Sequence, residues 1–283
     1  MPDLMTAYAI SASAVLVASA AFIEHYRIQV THTAIASDRL PPQFDGFTIL
    51  HLSDLHTMKY GRLERKIAGL LSQFQPDLLV ATGDLAAESP GVEPFCRLMS
   101  EAPAKEGRLV VFGNAEHILP HMGRKARELI PAHGIGLLDN EHVRITRGGD
   151  SIVVAGVDDP FTRHADLSNA LAGVGQDEFT VLLAHAPNIA AEAIEAGVDV
   201  VLSGHTHGGQ LKLPFLPAPY PHTGRGPRLE AGLYEGELLS RKTRRNAGRT
   251  RIYVSRGLGT SYIPARLFCR PELPVVTLRR EVG

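Results

Sequence analysis

Apolar runs of four to six residues recur along the chain, and each gives way to polar or glycine positions: FTILHL (47–52), DLLVAT (77–82), RLVVF (108–112), SIVVAG (151–156), TVLLAH (180–185), DVVLSG (199–204), RIYVS (251–255) and PVVTL (274–278). Runs this short and this rich in Val, Ile and Leu predict strands buried on both faces. Between several of them the spacing predicts helices over 63–74, 123–133 and 186–196, the last with Pro187 in its first turn, where an N–H would have no partner anyway. The alternation predicts an α/β fold with helices covering layered sheets, in one domain spanning 47–283.

Two stretches break the pattern. Residues 4–23 carry no formal charge over twenty positions, and a helix of that length spans about 30 Å, the thickness of a bilayer core. The expectation is an N-terminal hydrophobic helix that anchors residues 1–25 in the inner or plasma membrane, followed by a lead-in over 26–46. No Lys or Arg precedes the run while Arg27 and Arg39 follow it, so the positive-inside rule places the rest of the chain in the cytoplasm. A cleaved signal peptide that exports the domain is the alternative, since Ala18-Ser19-Ala20 resembles a cleavage site, although the positive n-region is missing. A helix buried against the domain is a third reading. The second stretch, 214–248, holds five prolines and most of a basic cluster, and is expected to be a flap over the site.

Composition narrows the class. A chain of 283 residues with 44% hydrophobic and 21% charged residues is that of a packed globular protein, not a disordered one. Its net charge of -1 hides an asymmetry: residues 1–211 hold 15 basic and 25 acidic groups, residues 212–283 hold 14 and 5. Arg241, Lys242, Arg244, Arg245, Arg249 and Arg251 crowd one segment, which suits an anionic lipid surface, a phosphorylated ligand or nucleic acid as well as it suits a solvated loop. Cys96 and Cys269 fit neither a disulfide framework nor a CxxC knuckle and are expected to be packing residues.

Five motifs follow five of the runs: DLH at 54–56, GD at 83–84, GN at 113–114, AH at 184–185 and GHTHGGQ at 204–210. Strand ends are where α/β folds place ligands. Asp54, His56, Asp84, Asn114, His185, His205 and His207 form a mixed nitrogen and oxygen set, without thiolate, suited to first-row divalent ions. The alternation in Asp54-x-His56 and His205-x-His207 is expected to let an extended backbone send both side chains of a pair to one face. A lone Asp-x-His is ordinary; the ordered series is not.

This series resembles the calcineurin-like metallophosphoesterases, whose D-x-H, G-D, G-N-H-D/E, x-H and G-H-x-H pattern it matches from 54 to 207. The segments GHTHGGQ and SRGLGTSYIPARLFCRPEL are similar to the membrane-associated bacterial subgroup of YkuE-like phosphodiesterases and UDP-2,3-diacylglucosamine diphosphatases. The resemblance implies a four-layer fold, a β-sandwich flanked by helices. It implies two divalent ions, Mn²⁺ first with Fe or Zn as alternatives, one held by Asp54, His56, Asp84 and His207 and the other by Asp84, Asn114, His185 and His205, with Asp84 bridging.

One position departs from the pattern: GNAEH puts Ala115 where the family has His. In relatives that residue serves the reacting phosphate or leaving group, so Ala115 implies reduced turnover or an introduced inactivating change, and leaves metal binding intact. His117, two residues on, is a candidate replacement, and Asn114 is expected to serve as both ligand and phosphate positioner. Arg244, Arg245 and Arg266 are the expected substrate contacts. The expected reaction is metal-dependent hydrolysis of a phosphodiester or diphosphate, with UDP-2,3-diacylglucosamine giving UMP and a lipid phosphate; membrane lipids are expected partners and nucleic acid is not. A metal-binding interaction module without catalysis is the reading from another class. The sequence does not specify an oligomeric state.

Overall fold

In the computed structural model, which describes residues 4–212 and 227–281, all eight apolar runs become strands. Among the described residues the strands are β1 (Gln29–Ser37), β2 (Thr48–Leu52), β3 (Leu78–Thr82), β4 (Arg108–Val111), β5 (Gly136–Leu137), β6 (Glu141–Arg147), β7 (Asp150–Gly156), β8 (Thr180–Leu183), β9 (Val200–Ser203), β10 (Gly232–Tyr234), β11 (Arg251–Val254) and β12 (Glu272–Arg280). The helices are α1 (Leu4–Glu24), α2 (Arg62–Leu71), α3 (Val92–Glu101), α4 (Asn114–Ile118), α5 (Pro120–Ala132), α6 (Leu167–Ala170), α7 (Ala190–Glu195) and α8 (Gly236–Thr243). The helix expected over 186–196 starts as a 3-10 turn at Pro187–Ile189 and continues as α7.

The strands form two six-stranded sheets, in the orders β1-β12-β2-β3-β4-β5 and β10-β11-β9-β8-β7-β6. Their period-2 alternation divides the side chains between three cores. Ile49, Val80 and Val111 of the first sheet meet Val154, Leu183 and Leu202 of the second in the core between the sheets. Leu50, Leu79 and Val110 point outward under the helical layer of α2, α3 and α5. Val153, Leu182 and Val201 point the other way under α6, α7 and α8. The result is four layers, helix, sheet, sheet, helix, as the resemblance implied.

The lead-in expected at 26–46 is not a linker. Nine of its residues form β1, which pairs in parallel with β12 from Gln29 opposite Glu272 to Ser37 opposite Arg280, so the first sheet begins before residue 47.

The uncharged N-terminal run does form one helix, α1. Among the described residues, however, no helix is long and apolar enough to cross a membrane, so the fold does not support the expected anchor. Tyr8, Val15, Leu16, Val17, Phe22 and Ile23 are exposed, and only the last turn docks on the domain. Among the described side chains of α1 and the residue after it, Ala21 and His25 are the buried ones; the Ala21 carbonyl accepts from the Arg266 backbone N–H at 3.0 Å, and Glu24 Oε1 accepts from the Cys269 N–H at 2.9 Å.

Of the expected flap, 214–226 lies outside the described residues. The part from 227 to 248 is not a structureless loop: it supplies β10 at the edge of the second sheet and α8, whose Leu239 is buried in the outer core.

Candidate metal centre

β2, β3 and β4 run parallel, as do β7, β8, β9 and β11, and the five motifs lie at the carboxyl ends of β2, β3, β4, β8 and β9. The two sheets are stitched together there. His185 Nδ1 lies 2.8 Å from the Thr82 carbonyl oxygen and the His205 N–H donates to both Asp54 carboxylate oxygens at 3.0 Å, while within the first sheet the Asp54 N–H donates to the Gly83 carbonyl at 3.1 Å.

The ligand pairs are not carried on extended backbone as expected. Asp54 (φ 51°), His56 (46°), Asp84 (50°), His205 (69°) and His207 (50°) all adopt the left-handed region in the turns that follow β2, β3 and β9. For residues with a Cβ this costs on the order of 1–3 kcal/mol apiece and persists only where the surroundings enforce it. The chain turns sharply at each strand end and aims successive side chains inward. Gly83 and Gly113 make the crowding possible: a Cβ on Gly113 would lie 2.6 Å from the Asp84 nitrogen, and one on Gly83 would lie 2.6 Å from both Gly113 N and His185 Nδ1.

The donor atoms converge. His56 Nε2 lies 3.3 Å from His207 Nε2 and 3.4 Å from Asp84 Oδ2. His207 Nε2 lies 3.5 Å from Asp54 Oδ1. On the other side, His185 Nε2 lies 3.1 Å from Asn114 Oδ1, 3.1 Å from His205 Nδ1 and 3.5 Å from Asp84 Oδ1. Donors bound to one ion at about 2.0–2.2 Å sit roughly 3.0–3.5 Å from each other, so these separations are edges of coordination polyhedra. Two sets of acidic and imidazole donors stand out, Asp54 with His56 and His207, and Asp54 with Asp84 and His185. Asp54 belongs to both, while Asp84 turns one oxygen to His56 and the other to His185. All seven expected ligands therefore come together, and the donor set fits two divalent ions.

Burial and charge act on the cluster in opposite directions. Burial alone would push His185 down, but Asp84, Asp54 and Asp159 outweigh it and raise its pKa to about 9. Burial raises Asp54 against the pull of His185. Burial also presses on Asp84, yet His185, His56 and the Ala115 N–H prevail and hold that carboxyl below its ordinary range.

Several supporting residues were not singled out by the sequence reading. Ser53 donates to Asp54 Oδ2 at 2.7 Å. Glu116, buried, takes N–H groups from Gly113 (2.8 Å), Asp84 (3.1 Å) and Leu85 (3.0 Å), tying the GD and GN turns together, and burial with the nearby Asp84 raises its pKa to about 8. Its place in GNAEH was the only available signal. Asp158, beyond β7, holds His117 Nε2 at 2.7 Å, and His117 stacks on His164 with centroids 3.8 Å apart. Phe161 of the same loop packs on His205 at 4.5 Å. The Ala115 N–H donates to Asp84 Oδ1 at 2.8 Å, so this position orients the carboxylate through its backbone whatever its side chain.

The expected substrate arginines are placed elsewhere. Arg266 has no exposed surface: it lies beneath His207, giving its guanidinium to the carbonyls of Arg256, Gly257, Gly259 and His207. Arg245 pairs with Glu195 at the end of α7 and Arg249 with Asp199 just before β9. Both partners precede the strand whose far end carries His205 and His207, so this basic segment flanks the metal-distal edge of the second sheet, and Arg244, the left-handed cap of α8, belongs to it. Cys96 and Cys269 are buried, as packing residues should be, with the Cys269 thiol 3.3 Å from the His207 carbonyl oxygen.

Comparison with known proteins agrees with this geometry. The family model "Calcineurin-like phosphoesterase" matches residues 47–209. The chain is 31% identical over 268 residues to the Bacillus subtilis protein "Uncharacterized metallophosphoesterase YkuE", covering 92% of this chain and 88% of that one. It is 30% identical over 286 residues to an "Uncharacterized metallophosphoesterase" of Aquifex aeolicus, covering 94% and 97%. It is 32% identical over 268 residues to the Bos taurus "Transmembrane protein with metallophosphoesterase domain", where the match takes in 88% of this chain but 57% of the relative. The chain belongs to the calcineurin-like phosphoesterase family.

Proposed function

We propose that the protein hydrolyses a phosphodiester or diphosphate bond, with UDP-2,3-diacylglucosamine as the leading substrate, split to UMP and the lipid phosphate at a membrane surface. The observation that carries the hydrolytic reading is the convergence of seven nitrogen and oxygen donors at coordination-edge separations. Two ions held there, Mn²⁺ before Fe or Zn, would supply an activated water and neutralise charge on the phosphoryl oxygens. The chain's part is positioning: Asp84 faces both halves, fixed by the Ala115 N–H and, through its own backbone, by Glu116. Asn114 turns its Oδ1 toward His185, which leaves its amide nitrogen as a donor for a phosphate oxygen. No nucleophilic serine or cysteine is required.

Ala115 gives no side-chain donor where the family pattern has His, so protonation of the leaving group falls to another group or is slow. His117, braced by Asp158 and stacked on His164, is that group's nearest candidate. The lipid-linked substrate and the membrane site draw on the resemblance of the C-terminal segments, the apolar α1 and the word transmembrane in the bovine relative's name. A domain on the cytoplasmic face of the membrane, or alternatively an exported domain, belongs to this proposal.

Ala115 also favours a second reading, a metal-binding module that does not turn substrate over. Against it stand the five ligands held in left-handed backbone, a standing cost that chemistry explains and mere contact does not. The deciding experiment measures UMP released from UDP-2,3-diacylglucosamine by the purified protein with and without Mn²⁺. Mn²⁺-dependent release supports the proposal; hydrolysis of a simple phosphodiester but not of this nucleotide removes the substrate, and no hydrolysis of any phosphoester with metals bound leaves the binding module.

A further inference from the structure

A cavity of about 400 Å³ runs from the metal ligand His56 to the docked end of α1. Leu55, Met58, Tyr26, Ile263 and Pro264 give it apolar walls, and Lys59 and Arg62 stand at its margin. Its outer lip is exposed hydrocarbon: Tyr262 is 96% exposed, Met58 62% and Ile263 55%. Phe22, whose ring meets that of the cavity residue Tyr26 at 5.6 Å, extends this lip onto α1, where Ile23 and Val15 to Val17 are also exposed. An apolar surface of this kind marks a binding face.

Charge says what it faces. Arg27, Lys59, Arg62, Arg65, Lys66 and Arg270 are exposed on the segments around the cavity. Glu88, next to the cavity residue Ala87, is exposed, but the acidic groups of the segments that carry these cations are engaged inward: Glu24 accepts the Cys269 N–H, Glu64 the Gly61 N–H, and Glu272 is buried against Arg256 and Tyr253. Lys66 and Arg62 hold Tyr26 at the base of α1, by a 2.6 Å bond to its carbonyl and by stacking over its ring at 4.7 Å. Exposed aromatic and aliphatic tips ringed by cations match an interface with anionic lipid, and the continuity of the lip with α1 favours a bilayer over an acidic protein.

We propose that this cavity is the lateral route by which a lipid-linked phosphoester reaches the metal centre. Tyr262, Ile263 and Met58 seat in an anionic bilayer, the tail-proximal part of the substrate lies along Leu55 and Ile263, and its phosphoester arrives at His56 without leaving the membrane surface. The inference deepens the hydrolase reading and rests on it. It does not need α1 to cross the bilayer, only its docked end to lie beside one.

The chain has no tryptophan, so Tyr262→Trp in the full-length protein gives a single fluorophore at the lip. With vesicles of phosphatidylglycerol and phosphatidylcholine its emission should move to shorter wavelength and be quenched by brominated acyl chains, with a weaker response on phosphatidylcholine alone. Trp placed by Leu238→Trp, exposed on α8, should respond to neither. Equal responses at both positions, or none at 262, would overturn the docking surface whether or not the protein is a hydrolase. For the route, Tyr262→Ser with Ile263→Ser should lower hydrolysis of a diacylglycerol p-nitrophenyl phosphodiester in vesicles about tenfold or more, the loss expected from removing apolar anchors. Hydrolysis of soluble bis(p-nitrophenyl) phosphate should stay unchanged. Parallel loss on both compounds, or on neither, contradicts the route, whereas a parent protein inert on both fails the hydrolase reading instead.

Discussion

Glu116 accepts three backbone N–H groups from two turns, so one carboxylate sets the spacing between Asp84 and Asn114. Glu116→Ala would strip these buried N–H groups of their acceptor, at a cost of roughly 1–3 kcal/mol for each one left unmatched. The expected outcome is a lower melting temperature together with weaker metal uptake; calorimetry that finds both unchanged would show that the turns do not depend on it. At position 115 the backbone already has its task, so Ala115→His should leave metal content and KM near those of the parent while raising kcat by about 10² to 10⁴, the usual contribution of a positioned acid. If His117 supplies the proton instead, His117→Ala should remove the residual activity, and the gain from Ala115→His should shrink.

At the scale of elements, α1 is attached by its last turn alone, which fixes where the chain can be cut. Deleting residues 1–20 should leave a domain with the parent's melting temperature, because Ala21, Glu24 and His25 keep their partners. Deleting 1–25 strips the Arg266 and Cys269 N–H groups of their acceptors, next to His207, and should lower both stability and metal affinity; equal melting temperatures for the two truncations would contradict the docking. The eight strands legible in the sequence all lie where apolar runs are continuous, and every inner strand of both sheets is among them. The four that escaped, β1, β5, β6 and β10, are the sheet edges, where solvent takes one side and polar residues such as those of QVTHTAIAS and EHVRITR interrupt the run. The ligand series was legible for the opposite reason, since metal chemistry restricts residue type at each strand end. What the sequence did not disclose was the left-handed backbone of Asp54, His56, Asp84, His205 and His207, because a strained φ at a residue with a Cβ leaves no compositional mark. Nor did it disclose Glu116 or Asp158, whose partners are far along the chain or on the backbone, nor that Arg266 is spent on carbonyls beneath His207.

For the whole molecule, the metal-free centre is a store of protons. His185 and Glu116 are raised to about 9 and about 8, above their ordinary values of 6.5 and 4.5, and Asp54 is raised as well. The native state thus keeps protons that the unfolded chain has released. The stabilisation is complete below those ordinary values and is lost as pH climbs through about 8 and 9. Asp84, lowered, acts in the opposite sense and only in acid. The melting temperature of metal-stripped protein should therefore fall between pH 6.5 and 9, and the gain on adding Mn²⁺ should grow over the same interval as proton competition fades. A stripped protein whose melting temperature rises across that interval would show that the cluster does not hold its protons.

If seven residues from two sheets build one centre for two ions, metal stoichiometry must show it. Purified protein dialysed against Mn²⁺ at neutral pH should carry roughly two ions per chain, and Asp84→Ala should carry none, because one carboxylate faces both halves of the site. A parent protein that saturates at a single ion, or an Asp84→Ala variant that still retains one, would contradict the account.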